Sequence, residues 1–394
     1  MELLFRGFRT EVGSPINEAL SATRYYTSRD QAEPWLYAYS PVARMNPYQA
    51  LMHRSFGEHG LAVSPVTEWG AFDRLTALSG QTRGIVLHLH WLSEVLKGAR
   101  TEADAQVRSA DFLSRLQAFR SQGGRVVWTV HNMAPHDAKF LEEERRLQQA
   151  VADEADLVHV LSEDTPQLVS EFLTLDPEKT FCVPHPSYEG AYQDFVPRDH
   201  ARLVMGLDPD EVVYVVFGAI KAYKGIERFV EGFNHLLKTS TTPRRLIIAG
   251  KADGDRSSQQ LVKQLRMHPY VLLKDSKIPA EHVQYMLRAA DLMVLPHQRA
   301  LNSGGALLGP TFDLPVVANR VGVLPNLLEP SFAEFLEGST PEEIAVSLER
   351  ADRLVAPEAR AAARDFADRH RPADVSDRFA REVRERLSRL SQEG

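Results

Sequence analysis

One cysteine, Cys182, occurs in 394 residues, so no internal disulfide can form. It sits in the strand-like segment 180–183 and reads as a buried small hydrophobe in a reducing compartment. No run approaches the roughly 18 apolar residues of a membrane span, and the N-terminus has neither the charged nor the apolar region of a signal peptide. A cytoplasmic protein is expected, with contact at the inner membrane face left open. Basic excess is also missing. Residues 1–198 hold 19 basic and 26 acidic groups and the remainder 27 of each, so the net charge of −7 arises in the first half. Nucleic acid, which needs clustered Lys and Arg, is excluded as the main partner. No Gly-x-Gly-x-x-Gly follows an early strand, which argues against a dinucleotide dehydrogenase. The histidine spacings match no usual zinc pattern and the one cysteine lies elsewhere, so neither a metal nor another cofactor is expected.

What is present is an ordinary globular composition, 43% hydrophobic and 25% charged, in a chain long enough for two domains. Strand-like and helix-like segments alternate, the pattern of parallel sheets covered by helices. Strands are expected at 36–39, 60–63, 85–90, 126–130, 157–161 and 180–183, then at 212–217, 245–249, 270–273, 292–295 and 315–318. Helices are expected at 47–59, 103–122, 139–153, 226–239, 258–267, 280–290, 306–311 and 342–356. The fold class is α/β, two doubly wound Rossmann-like domains facing each other across a cleft. Residues 1–33 read as an N-terminal arm, 34–200 as the first domain, 201–370 as the second, and 371–394 as a terminal helix. That helix, basic and amphipathic over 375–390, either packs back on the first domain or caps the chain.

Two turns carry the chemistry. An apolar strand ends at Leu295 and leads through a polar turn to Asn302, Ser303, Gly304 and Gly305, where a helix restarts. The first N–H groups of a helix lack internal partners, and small residues there let an anion come close. Upstream, a valine run ends in Phe217-Gly-Ala-Ile-Lys-Ala-Tyr-Lys-Gly225, placing Gly218, Lys221 and Lys224 just past a strand. Each turn alone is commonplace in α/β proteins. Both at strand C-terminal ends in the same half, where open parallel sheets bind ligands, form a diphosphate clamp.

In the first half, His90 and His131 directly follow strands, as does His185, and His136 lies nearby. A lone histidine is more often a packing residue, but several at equivalent strand ends suggest a cluster that hydrogen-bonds sugar hydroxyls. Asn132, and Arg44, Asn46 and Tyr48 in the loop after the first strand, join them as acceptor or sugar contacts.

Val126-Val-Trp-Thr-Val-His-Asn132, the Phe217–Gly225 segment, Leu246-Ile-Ile-Ala-Gly250, Ala290-Asp-Leu-Met-Val-Leu-Pro296 and Phe312-Asp-Leu-Pro-Val-Val-Ala318 together resemble a GT-B glycosyltransferase of family 4, in the branch tied to exopolysaccharide and cell-surface glycan assembly. The similarity spans about residues 80–330. It implies transfer of a sugar from a nucleotide diphosphate sugar to a glycan, lipid-linked saccharide or small molecule, with retained anomeric configuration and no obligatory metal. It also implies that Lys221 and Lys224 neutralise the diphosphate, that residues 302–305 and Ile278 help hold the donor, and that His131 stands beside the reacting sugar. The chain departs from the family in having Ala219 where relatives carry Arg, and in lacking the usual Glu pair around Arg299 and Leu308. A sugar-nucleotide epimerase or hydrolase, and a non-catalytic nucleotide- or glycan-binding relative, remain the alternatives.

Overall fold

Short runs of Val, Ile and Leu bounded by turn residues form strands that can be buried on both faces, and such strands pair in parallel. The computed structural model describes residues 16–393 apart from 44–45, 67, 69, 134–138 and 222–223. By their contacts these residues divide into two units. Unit 1 ends at Pro184 and resumes at Ala373, and unit 2 runs from His185 to Pro372. The division therefore falls earlier than the expected boundary at 200, and the last stretch of chain belongs to unit 1.

The sheet of unit 1 contains β1 (Trp35–Ser40), β2 (Leu61–Pro65), β3 (Gly84–Leu89), β4 (Arg125–Thr129), β5 (Leu157–Val160) and β6 (Thr180–Cys182). All pairs are parallel, in the order β2-β1-β3-β4-β5-β6. Strand order reverses between β1 and β3, so the helices after them leave to opposite sides and open a crevice at their C-terminal ends. The backbone of His90 continues this pairing, its N–H donating to the carbonyl of Ser40 at 3.0 Å.

Unit 2 contains β7 (Val212–Phe217), β8 (Arg244–Ala249), β9 (Val271–Lys274), β10 (Leu292–Leu295), β11 (Val316–Asn319) and β12 (Ala333–Leu336). Its order, β12-β11-β10-β7-β8-β9, reverses between β7 and β10. A buried ion pair fixes the start of this sheet. Asp291 accepts from Arg202 at 2.6 Å and from the Val213 N–H at 2.9 Å, and Arg202 also donates to the carbonyls of Asp208, Pro209, Glu211 and Ala289. Each nitrogen of that buried guanidinium thus faces an acceptor, the condition under which a buried charge is tolerated.

Three expectations need correction. The supposed arm contains a helix, Asn17–Asp30, which packs against β2. Its buried residues are Ala19 and Thr23, too few to leave an apolar period in the sequence. The expected helix over 47–59 breaks into Tyr48–Met52 and a separate turn, Phe56–His59. At the break the Ser55 N–H donates to the Ser376 hydroxyl at 2.8 Å instead of continuing the helix. The short edge strand β12 and the helices Arg198–Met205 and Pro357–Asp368 were not expected at all.

The terminal helix, Pro372–Glu393, lays Val375, Phe379, Ala380, Val383 and Leu387 into the core of unit 1 beside Tyr37, Phe56, Val127 and Phe181. Phe379 stacks on the His159 ring with centroids 4.5 Å apart. Truncation of a fully buried Phe removes about 3–5 kcal/mol. Phe379→Ala is therefore expected to lower hydrogen-exchange protection throughout β3, β4 and β5, and unchanged protection there would show that the helix is not integral to the unit.

Candidate functional site

In unit 2 the turn that follows β7 meets the exit of β10 at the switch point. Gly225 has φ +73, and a Cβ placed on it would lie 2.2 Å from the Pro296 carbonyl oxygen. The Lys-x-x-Lys-Gly turn after β7 therefore lies directly on the exit turn of β10. Asn319, from the end of β11, holds that exit turn by donating to the carbonyls of Pro296 and His297 at 2.9 and 3.1 Å. The sequence reading overlooked Asn319 because it sits inside an ordinary strand end.

Gly218 caps β7 with φ +115, and the Lys224 ammonium reaches to within 3.7 Å of where its Cβ would be. Burial, then the neighbouring Lys221 charge, lowers the Lys224 pKa from its usual value to about 8, with Asp253 partly opposing this. Lys221 itself pairs with Asp253 at 3.1 Å. Both partners of that pair are partly exposed, so it contributes about 0–1 kcal/mol. An incoming anion can displace it.

The helix Gly305–Thr311 starts from Gly304 with no side-chain cap, and among the described residues the N–H groups of Gly304 and Gly305 make no hydrogen bond. A Cβ on Gly304 would stand 2.3 Å from the Tyr188 hydroxyl and 3.7 Å from Nε2 of His185. His185 was expected among the first-half contacts. It lies instead in unit 2 against the glycine turn, because the chain has already left β6 and crossed into the second unit there. Its Nδ1–H donates to the Pro186 carbonyl at 2.6 Å, and burial lowers its pKa to about 4, so it stays neutral. Ile278 is half-buried in the loop between β9 and the helix Ala280–Ala289. Leu308 and Gly309, where relatives carry a Glu, are buried in the helix and offer no polar side chain.

In unit 1, His90 Nδ1 lies 3.0 Å from His131 Nε2. Trp91 stacks on the His131 ring at 4.3 Å, and Tyr48 meets the rings of both histidines edge-on. His90, Trp91 and His131, with Trp128, Thr129, Asn132 and Gln148, border a cavity of about 30 Å3, room for a hydroxyl or a water and not for a sugar ring. Asn132 is exposed at its mouth. Asn46 has a structural task, since its side-chain oxygen accepts the Tyr48 N–H at 3.0 Å in the turn that leads into the helix Tyr48–Met52. Arg44 and His136 lie outside the described residues.

Beneath this pocket lies a chain of buried groups that sequence reading missed. His159 Nε2 is 2.9 Å from the Val183 carbonyl, which only accepts, so Nε2 carries the hydrogen and Nδ1 accepts. Thr129 Oγ1, at 2.9 Å from that Nδ1, must donate to it. It therefore accepts from His88 Nε2 at 2.7 Å, which leaves His88 Nδ1 a lone pair to receive His53 Nε2–H at 3.3 Å. One carbonyl thus dictates three imidazole tautomers. The only trace in the sequence is strand alternation, which puts His88 and His90 on one face of the sheet.

Residues 211–351 match the family model described as Glycosyl transferases group 1. A D-inositol 3-phosphate glycosyltransferase of Segniliparus rotundus is 28% identical over 197 residues, 47% of this chain and 43% of that protein, so the match spans less than half of its relative. Among solved structures, sucrose-phosphate synthase of Thermosynechococcus elongatus has a TM-score of 0.68 at 15% identity, covering 91% of this chain and 100% of its own. HepE of Anabaena in complex with UDP gives 0.64 at 14% identity, covering 89% and 99%. The catalytic domain of starch synthase IV from Arabidopsis thaliana, bound to ADP and acarbose, gives 0.60 at 11%, covering 91% and 99%. At such identities the three structures establish the GT-B fold.

The buried imidazoles set an acid limit. Burial lowers the pKa of His53 to about 3 and of His159 to about 4, and holds His88 and His90 well below the usual value. Between those values and about 6.5 the unfolded chain binds more protons, so stability present above 6.5 is lost as pH falls. Melting of the chain between pH 7 and 4.5 is expected to show a loss of about 1.4 kcal/mol per pH unit for each histidine involved. A flat profile would mean that these rings are not held neutral.

Proposed function

We propose that the protein, whose residues 211–351 match the group 1 glycosyltransferase model, transfers a sugar from a nucleotide diphosphate sugar to a hydroxyl of a glycan, a lipid-linked saccharide or a small molecule. The observation that supports this is the contact of Gly225 with the Pro296 carbonyl, which sets the turn carrying the two lysines against the strand exit that leads on to the uncovered N–H groups at the switch point. HepE and starch synthase IV, which share the fold, are described bound to UDP and to ADP. Neither base is favoured by a contact within this chain.

In the reaction, the sugar C1–O bond to the diphosphate breaks and its electron pair leaves with the phosphate oxygen. Lys221, Lys224 and the N–H groups of Gly304 and Gly305 oppose the charge that gathers there, the kind of stabilisation that contributes most to such barriers. They supply the positive charge that a divalent ion would otherwise bring to the diphosphate, so turnover is proposed to need no metal at that position. The acceptor hydroxyl forms the new bond to C1 and releases its proton to the departing phosphate. His131, fixed by His90 and Trp91, is proposed to hold a hydroxyl of the reacting sugar, with Asn132 and Tyr48 beside it. Attack from the face of the departing group gives retention, which rests on the family resemblance.

A panel of UDP, GDP, ADP and dTDP sugars, read by thermal stabilisation, is expected to give one nucleotide class that adds a few kcal/mol at saturating concentration. With that donor, Lys224→Ala should slow turnover about a hundredfold. Nucleotide binding should also weaken above pH 8, by up to about tenfold per unit, because the clamp then has to take up a proton on binding. That dependence should vanish in the variant, and unaltered turnover and pH profile in Lys224→Ala would remove the clamp. Consumption of donor without acceptor would favour the epimerase or hydrolase, and tight binding without transfer the non-catalytic relative. Proton NMR of the first product is expected to show the anomeric configuration of the donor, and the opposite anomer would overturn retention.

A further inference from the structure

Among the buried polar atoms of unit 1 that have no hydrogen-bond partner among the described residues are His53 Nδ1, His90 Nε2 and the Tyr37 hydroxyl. They occur in one ring cluster. Tyr37 lies edge-on to both His53 and His88, and the His88 and His90 ring centroids are 4.0 Å apart. Orphaned buried groups are rare, and several together call for a water or an ion.

From this juxtaposition we infer that His53, His88 and His90 form a site for a divalent transition metal of the zinc class. One ring nitrogen from each lies within 4.8 Å of the other two. His53 Nε2 and His88 Nδ1 stand 3.3 Å apart, and two imidazole nitrogens at about 2.0–2.1 Å from a tetrahedral zinc are separated by about that distance. An ion there replaces the shared hydrogen with two coordination bonds, and His53 stays neutral by carrying its hydrogen on Nδ1 instead of Nε2.

The surrounding hydrogen bonds suit ligation. Metal-bound histidines usually donate their second N–H to a fixed acceptor that orients the ring. His88 does so through Nε2 to Thr129, which is itself anchored through His159 to the Val183 carbonyl. That chain forces the Nδ1 lone pair of His88 toward His53. His90 places Nδ1 on His131, and when it donates there its Nε2 is the lone pair that faces no described partner. The donor set is three neutral imidazoles without a carboxylate or thiolate. It selects zinc, cobalt, nickel or copper over magnesium or calcium. The site lies in unit 1, apart from the diphosphate clamp, and does not depend on the proposed reaction. Its consequence for the pocket above is rigidity, because an ion on His90 also fixes the ring that holds His131.

The test uses the full chain, stripped with a chelator and loaded with Zn2+ or Co2+. Elemental analysis after gel filtration is expected to find one zinc per chain. X-ray absorption should show nitrogen ligands at about 2.0–2.1 Å with imidazole scattering, and cobalt should give the intense visible bands of a tetrahedral site. His53→Gln and His90→Gln, checked for folding by circular dichroism, should each lose most of the retained metal. His235→Gln, whose ring pairs with Glu342 at the surface, should retain it. Because core variants can misfold, the absorption spectrum of the unaltered protein stands as a separate test. Negligible zinc retention, an ion without imidazole ligands, or full retention in folded His53→Gln and His90→Gln would each overturn the site and leave water as the partner of the orphaned atoms.

Discussion

The chemistry of unit 2 depends on the reversal of strand order between β7 and β10. Neighbouring parallel strands normally send their helices to the same side, and each helix closes over the strand ends beside it. At a reversal, right-handed crossovers carry the two helices to opposite faces, and nothing covers the carboxyl ends between them. The turn after β7 can then touch the turn after β10, and the absence of a side chain at Gly225 permits the approach to Pro296. Lys224 needs that same crowding. It is what strips water from the ammonium and lowers its pKa.

Unit 1 uses its own reversal, between β1 and β3, for a different purpose. Its strand ends carry imidazoles, which are neutral because they are buried and are ordered because hydrogen bonds run in one direction from a single carbonyl. A chain of this kind permits little exchange of roles. Reversing one donor would put two lone pairs or two hydrogens face to face in a low-dielectric interior, where an unmet polar group is expensive. The terminal helix supplies the apolar lid for this arrangement through Phe379.

The alternation of strands and helices, and the glycine and lysine turn after β7, were legible because both are local. A parallel strand declares itself in four to six apolar residues, and a phosphate-binding turn needs glycines and lysines within a few positions of one strand end. The histidine chain was not legible. Its members come from the segment after β1, from β3, β4 and β5, and from the Val183 carbonyl, and no single stretch of sequence holds more than two of them. His185 was misassigned for a related reason. It follows a strand as His90 and His131 do, yet the chain changes unit at that point, and only long-range contacts reveal the change. Asn46 was read as a ligand contact because it lies in the polar loop after the first strand, and the hydrogen bond that it accepts from the Tyr48 N–H leaves no mark in the sequence.

The clamp also explains why its two lysines differ. Lys221 is partly exposed and finds Asp253, a carboxylate that occupies the place of an anion without holding it tightly. Lys224 is more deeply set, and the charge on Lys221 adds to the penalty that burial imposes. The proposed diphosphate would relieve both at once, displacing Asp253 from one ammonium and stabilising the charge of the other. The attraction is strongest where water is scarce, since the same low dielectric that makes an uncompensated ammonium costly strengthens its pairing with an anion. Lys224 is thereby the residue whose protonation responds most to occupancy. Its cost to the folded protein is concentrated at the one place where the proposed donor would remove it.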